Sequence, residues 1–222
     1  MEENLLHEII DHLLKDEVPS KYIMLQKARL NDSPLKLISK LEEINQEPKF
    51  HPEGNVWNHM LQVVDNAAKI KDYANKPKEF MLAAMLHDIG KSTTTKKRHD
   101  GKITSYKHDE VGAELTKEIL QYYNIKEIDM DYVVALVKYH MHHLFIVKNL
   151  PYGNIKGMIN EVDINDIVLI FICDRLGRNQ KTYDEKKVEF DDIRKVIEIL
   201  KLKHNIRLEN IEDNFTNIEN KI

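Results

Sequence analysis

The chain has 222 residues, and its single cysteine, Cys173, excludes an intrachain disulfide and any CxxC zinc or redox motif. Its formal net charge of −4, with 32% charged residues, excludes a strong overall attraction to nucleic acid or to an anionic membrane. At 42% hydrophobic, a chain of this length can bury the core of one domain with terminal additions.

Apolar residues recur at steps of three and four along almost the whole chain, which predicts an all-α fold. The first helix is expected at residues 4–15, and a second, short helix after Ser33-Pro34. Residues 44–54 are turn-rich, with two prolines, and mark the entry to a central domain. Later helices are expected at about 55–74, 77–89, 109–123, 129–143, 163–178 and 190–203.

The segments between these helices complete the expected organisation. The loop 91–107 is long and basic, which is typical of a functional or disordered loop, and the polar tail 204–222 is expected to be partly disordered. We therefore expect an N-terminal extension (1–50) packed on the core, a central core domain (51–180) and a C-terminal helix with tail (181–222). The first ten residues lack the features of a secretory signal, so we expect a cytoplasmic protein without membrane contact.

Several of the predicted helices carry a metal-capable side chain on the apolar face. Val133, Leu136 and Val137, for example, lead at helical spacing to a histidine. The residues found in this way are His59, His87, His140 and Asp174. For any single histidine, a buried imidazole satisfied by a hydrogen bond is the simpler interpretation.

A buried carboxylate is harder to explain without a cation. An unpaired charge inside a protein costs on the order of several kcal/mol, so Asp174 needs a positive partner, and Asp88 lies directly beside His87. Adjacent helical residues project roughly 100° apart, so both members of this pair reach one ion only near a helix end. Gly90 is expected to supply that end as a C-cap. The mixture of imidazole and carboxylate suits a divalent ion such as Ni, Mn, Fe, Co or Zn.

Five ordered blocks of the sequence resemble the HD-domain metal-dependent phosphohydrolases. The blocks are HPEGNVWNHMLQVVDNA, LAAMLHDIGKSTTT, YKHDEVGAEL, ALVKYHMHH and CDRLGR, and they look most like the HD domain of bacterial CCA-adding enzymes and poly(A) polymerases. The resemblance covers about residues 44–180 but not the nucleotidyltransferase head of those enzymes. It implies a helical bundle with a five-helix core, extra terminal helices and one or two divalent ions, with Mg among the candidates.

The resemblance also implies roles for individual residues. The expected metal ligands are His59, His87, Asp88, His108, His140 and Asp174. Asp88 would bridge to a second ion held by His108 and His140, although His142 or His143 remains an alternative to His140. Asp88 and Lys91 are the expected catalytic residues, Lys91 as a phosphate ligand, and Arg178 is the expected substrate contact. A lysine near a helix C-terminus is also commonly just a favourable partner of the helix dipole.

Three functional classes fit these features. The leading hypothesis is a phosphomonoesterase or phosphodiesterase acting on a small nucleotide or an RNA-end phosphate ester, including a 2′,3′-cyclic one. The second is a di-iron oxygenase of HD type, which would need iron at both positions. The third is a non-catalytic nucleic-acid or signalling module, which a site with open coordination positions does not favour. An oligomer is compatible with all three.

Overall fold

The computed structural model describes residues 4–179, 181–206 and 208–222, and it confirms the all-α fold. The helices are α1 (Leu5–Lys15), α2 (Ser20–Leu25), α3 (Lys27–Asn31), α4 (Lys36–Lys40), α5 (Val56–Ile70), α6 (Pro77–Leu86), α7 (Lys91–Thr94), α8 (His108–Tyr123), α9 (Met130–Tyr139), α10 (His142–Val147), α11 (Ile155–Glu161), α12 (Ile164–Leu176), α13 (Tyr183–His204) and α14 (Glu209–Lys221). Short 3₁₀ turns cover Leu41–Glu43 and Lys71–Tyr73.

Helices α5, α6, α9 and α12 form the centre of the bundle, with α8 packed on α9 and α13 packed on α12. Helix α12 is apolar on almost every side, and all its residues from Ile167 to Asp174 are buried, as expected for a helix surrounded by others. It has 13 residues. Within the described residues, no helix combines the length and apolarity that a membrane crossing requires.

Two of the predicted helices have different limits in the structure. The helix predicted at 129–143 is divided, because α9 ends at Tyr139 and α10 begins at His142. The last core helix begins at Tyr183 instead of near residue 190. Its start is set by a capping box, in which Thr182 and Glu185 each bond the other's backbone N–H.

The polar tail and the basic loop are more ordered than expected. Partial disorder was the wrong prediction for residues 208–222, because α14 buries Ile211, Phe215 and Ile218 against the bundle. The loop 91–107 contains α7 and a small antiparallel hairpin of β1 (Lys96–Lys97) and β2 (Ile103–Thr104). Gly101, with φ of +85°, lies in the turn between the two strands.

Gly90 is not the left-handed C-cap that the sequence predicts. Its φ is −63°, and the residue lies between α6 and α7 in ordinary right-handed backbone. A glycine is needed here because the backbone of α8 lies very close to Gly90. A Cβ at this position would lie 2.0 Å from the carbonyl oxygen of His108 and 2.6 Å from the backbone nitrogen of Gly112. The missing side chain therefore lets the start of α8 pack against the turn after α6, which brings His108 beside Asp88.

Candidate metal centre

The six residues predicted as metal ligands lie together in one buried cluster. His59 comes from the first turn of α5, His87 and Asp88 from the turn that follows α6, His108 from the first position of α8, His140 from the end of α9 and Asp174 from α12. None of the six is more than 8% exposed. Residues far apart in sequence therefore meet because four core helices and α8 converge at one end of the bundle.

Asp88 occupies the centre of this cluster, and its two oxygens face different imidazoles. Asp88 Oδ2 lies 3.4 Å from His87 Nε2 and 3.6 Å from His59 Nε2. Asp88 Oδ1 lies 3.3 Å from His108 Nε2 and 3.6 Å from His140 Nε2. Each oxygen of Asp88 thus forms a triad of potential ligands with two imidazole nitrogens, one triad on each side of the carboxylate.

All four imidazoles present the same nitrogen to the cluster. In each ring, Nδ1 lies within hydrogen-bond distance of a backbone carbonyl and therefore carries the proton, which leaves the Nε2 lone pair free. The acceptors are the carbonyls of Gly177 for His59, Ala84 for His87, Ser105 for His108 and Val137 for His140, at 2.9, 2.9, 2.7 and 2.6 Å. This outer arrangement is the one that metal-binding histidines use.

The free nitrogens are close enough to require a positive charge between them. His59 Nε2 is 3.3 Å from His87 Nε2, and His108 Nε2 is 3.2 Å from His140 Nε2. Two lone pairs at this distance repel each other unless a proton or a metal ion lies between them. Asp174 Oδ1, 3.1 Å from His59 Nε2, adds a second carboxylate to the His59 side.

The spacing of the donor atoms also fits a metal ion. Ligands held about 2.1 Å from an ion in tetrahedral or octahedral geometry lie about 3.0–3.4 Å from one another. The separations between nitrogen and carboxylate oxygen around Asp88 range from 3.3 to 3.6 Å, close to that expectation. The imidazole and carboxylate donors can hold one divalent ion on each side of Asp88, and no thiolate takes part among the described residues.

The pKa values indicate that the cluster attracts positive charge. Burial lowers the pKa of His59, but contacts with Asp174 and Glu53 outweigh it and raise that pKa to about 9. Burial works to raise the pKa of Asp88, but Lys91 and His87 hold it well below the ordinary value. The carboxylates around His59 therefore favour a positive charge on its ring, in addition to the cations that Lys91 and Arg178 supply to Asp88 and Asp174.

The loop before α5 contributes residues to the surroundings of the cluster that the sequence alone does not indicate. Lys91 Nζ donates to Asp88 Oδ2 and to Gln46 Oε1, both at 2.7 Å. Glu53 Oε1 lies 2.8 Å from His51 Nδ1 and 3.2 Å from His59 Nδ1. Gln46, His51 and Glu53 lie in the segment that the sequence predicts to be turn-rich. His51 and Glu53 also belong to the first of the resembling blocks, but the resemblance implies no role for them.

A cleft of about 760 Å³ opens onto the cluster. Its lining includes Asp88, Asp174 and His108 of the cluster, together with Lys91 and Arg178. One guanidinium nitrogen of Arg178 donates to Asp174 Oδ1 at 3.1 Å, whereas its buried Nε has no acceptor in the described part of the chain. Both cations predicted to contact a phosphate are therefore next to the carboxylates of the cluster.

The three histidines near the end of α9 have different surroundings. His140 Nε2 faces Asp88, whereas His142 Nε2 accepts the backbone N–H of Asn154 at 3.0 Å. His143 donates from Nδ1 to the carbonyl of His140 and lines the cleft. Of these three histidines, His140 is therefore the one that joins the cluster. A further histidine, His99, is exposed on the hairpin of β1 and β2.

Comparison with known proteins identifies similar chains. A stretch of 133 residues is 28% identical to a multifunctional CCA protein of Halorhodospira halophila, covering 58% of this chain and 30% of the relative. The corresponding protein of Actinobacillus pleuropneumoniae is 26% identical over 147 residues, or 59% of this chain and 34% of the relative. The chain thus spans about a third of the length of these relatives.

The family comparison covers the same part of the chain as the metal cluster. The HD domain matches residues 56–179, which is more than half of the sequence and includes α5 through α12. All six clustered residues lie inside this range, whereas Gln46, His51 and Glu53 precede it. Members of the superfamily are mostly metal-dependent phosphohydrolases, and the chain belongs to the HD-domain family.

Proposed function

We propose that the protein is a metal-dependent phosphohydrolase that hydrolyses a phosphate ester of a nucleotide or an RNA end, including a 2′,3′-cyclic phosphate. One observation carries the proposal. Each oxygen of the buried Asp88 faces its own pair of imidazole nitrogens, at 3.3–3.6 Å. Such a carboxylate is suited to bridge two divalent ions above a substrate cleft.

The protein's own groups would perform the steps around the ions. A divalent ion held by His59, His87, Asp88 and Asp174 would supply Lewis acidity and would activate a water at near-neutral pH. His108 and His140, with the other oxygen of Asp88, would hold a second. The backbone carbonyls that bind each Nδ1–H keep the rings oriented, so the donor atoms need no rearrangement when substrate arrives.

Lys91 and Arg178 would bind and orient the phosphoryl group. The Lys91 ammonium is already beside Asp88, where it would meet an oxygen of a substrate bound at the cluster. Arg178 has one nitrogen on Asp174, and its buried Nε offers a further N–H to an anionic oxygen. Two cations at one side of the reacting phosphorus would neutralise charge that builds up in the transition state.

The substrate class rests on the resemblance to the HD domain of CCA-adding enzymes and on the cleft. A volume of about 760 Å³ is within the range of pockets that bind a nucleotide-sized molecule. Hydrolysis of a phosphomonoester or of a 2′,3′-cyclic diester would use the same site. We place this activity in the cytoplasm, where the single buried thiol of Cys173 would remain reduced.

The proposal is tested by measuring metal content and activity together. Protein purified without chelator is analysed for metals, then assayed with nucleoside monophosphates, 2′,3′-cyclic nucleotides and model diesters across Mn, Ni, Co, Mg and Zn. We expect bound metal and hydrolysis of at least one ester class. Absence of both metal binding and hydrolysis across this set would overturn the proposal.

Asp88→Ala is the decisive variant. The substitution removes a ligand from both ions, so activity should fall by orders of magnitude while helical circular dichroism persists. Asp131→Asn is the matched control, because Asp131 is exposed on α9 and lies outside the cluster. Near wild-type hydrolysis by Asp88→Ala would remove the metal centre from the mechanism.

A further inference from the structure

Glu53 gives His59 a second partner on the side of the ring that faces away from the cluster. His59 Nδ1 lies 2.9 Å from the carbonyl oxygen of Gly177 and 3.2 Å from Glu53 Oε1. The N–H therefore points at a neutral acceptor with an anionic carboxylate beside it. Glu53 precedes the part of the chain that matches the HD domain, which begins at residue 56.

The other three imidazoles of the cluster lack such a carboxylate. His87, His108 and His140 each donate Nδ1–H to a single backbone carbonyl three residues earlier. A carboxylate behind an imidazole makes the opposite nitrogen a stronger donor to a metal, because negative charge is drawn toward the ring. The two sides of Asp88 therefore differ, and only the His59 side has this support among the described residues.

The loop that carries Glu53 holds the side chain in place. The loop closes at its base through backbone bonds from Gln46 N to Gly54 O at 2.9 Å and from Val56 N to Ile44 O at 3.0 Å. Gln46 Nε2 donates to Glu53 Oε1 at 3.3 Å, and His51 lies on the same oxygen. The Glu53 side chain is 1% exposed.

The carboxylate of Glu53 is only half satisfied. Its Oε1 collects all the contacts described above, whereas Oε2 is buried and has no hydrogen-bond partner within the described residues. Leaving a buried carboxylate oxygen unpaired is unfavourable, so a purely structural role would be poorly served by this arrangement. The placement is explained if the charge acts on His59.

We propose that Glu53 is a positioning residue that strengthens His59 as a metal ligand and makes the His59 side of Asp88 the tighter of the two ion positions. The inference rests on the proposed function, because it requires the cluster to bind metal. Glu53 is then a functional part of the site, although it lies just before the residues that match the HD domain. Glu53 acts through His59 and does not itself contact the ion.

Cobalt titration of matched variants tests this role. In a His108→Ala background, which leaves the His59 side as the one complete position, Glu53→Gln should weaken Co²⁺ binding by roughly 10–100-fold, the usual effect of losing an outer-shell partner. The visible absorption of bound Co²⁺ should also change, since the ligand field depends on His59. Glutamine keeps the size of the side chain and an acceptor oxygen, so the variant removes mainly the charge.

Glu47→Gln is the control on the same loop. Glu47 accepts the backbone N–H of Ile103 at 3.0 Å and contacts no imidazole, so its variant should bind Co²⁺ as the background does. Unchanged affinity and spectrum in Glu53→Gln would overturn the inference, as would an equal loss in Glu47→Gln or unfolding of Glu53→Gln without metal. Failure of the unsubstituted protein to bind any metal would instead contradict the proposed function.

Discussion

Helix α12 carries two buried carboxylates two turns apart, Asp166 and Asp174, and the groups around them differ in kind. Asp166 is 0% exposed and Asp174 is 3% exposed, so burial alone does not distinguish them. The same run of apolar residues, Ile167 to Cys173, lies between them in the sequence. Their hydrogen-bond partners distinguish them.

Asp166 is satisfied by neutral donors from the protein. Its Oδ1 accepts the backbone N–H of Asn75 at 2.7 Å, and its Oδ2 accepts the backbone N–H of Lys76 at 3.1 Å and the Tyr132 hydroxyl at 2.9 Å. Two of these donors lie immediately before α6, whose far end leads to His87 and Asp88. Asp166 therefore anchors the helix that presents the site.

Asp174 Oδ1 is contacted by an imidazole and a guanidinium, since His59 Nε2 and Arg178 each lie 3.1 Å away. Within the described residues, no backbone N–H donates to Asp174. These side chains can rearrange when a metal ion or a substrate binds, whereas a backbone N–H cannot move unless the fold changes. The hydrogen-bond donors, and not the degree of burial, therefore distinguish a carboxylate that stabilises the fold from one that is available for chemistry.

Of the three variants that test this difference, Asp174→Asn should cause the largest loss of hydrolysis. The variant keeps the shape of the side chain but removes a charged ligand, so hydrolysis should fall by about 100-fold or more, beyond the typical effect of outer-shell changes. Steady-state kinetics and metal analysis measure this. Full activity with full metal content would place Asp174 in the same structural class as Asp166.

His108→Ala should have an intermediate effect, confined to one side of Asp88. Its Nε2 faces Asp88 Oδ1 and His140, so the variant should lose the ion on that side and retain the one near His59. Metal analysis should show the stoichiometry falling from about two ions to about one per chain. An unchanged stoichiometry would point to a single-ion centre, with His108 as a phosphate contact or a proton donor.

Asp166→Asn should have the smallest effect on chemistry and act on stability instead. An amide group directed at the N–H of Asn75 or Lys76 leaves one donor unpaired, which should lower the free energy of unfolding by about 2 kcal/mol. For a chain of this size, the melting temperature should fall by roughly 4–8 °C. Metal stoichiometry should stay at the wild-type value below the transition, and its loss would contradict the anchoring role.

Local spacing was sufficient to predict most of the helices and much of the cluster. The stripe of Val133, Leu136 and Val137 led to His140, and a similar stripe led to His87, because helical periodicity depends on neighbours three and four positions away. Both residues do lie in the buried cluster. His108 was predicted from the family resemblance and lies in it as well.

Features that depend on contacts distant in sequence were not predicted. The sequence places Glu53 in a turn-rich segment. Nothing in the neighbouring residues indicates that His59 and Gln46 both contact its Oε1. The order of α14 was missed although Ile211, Phe215 and Ile218 repeat at helical spacing, since a polar helix gains most of its stability from packing. Gly90 was assigned to a cap, whereas its real constraint comes from the backbone of α8.

Local periodicity and side-chain chemistry are enough to predict the all-α class, the approximate helices and most of the metal-capable residues, whereas His108 follows from the family resemblance. Only the packed core shows which oxygen of Asp88 faces which imidazoles. It also shows that backbone N–H groups bind Asp166 while side chains contact Asp174, and that Glu53 lies behind His59. The physical reason is that the partners of a buried polar atom come from other helices. Their directions are set only when the whole core packs.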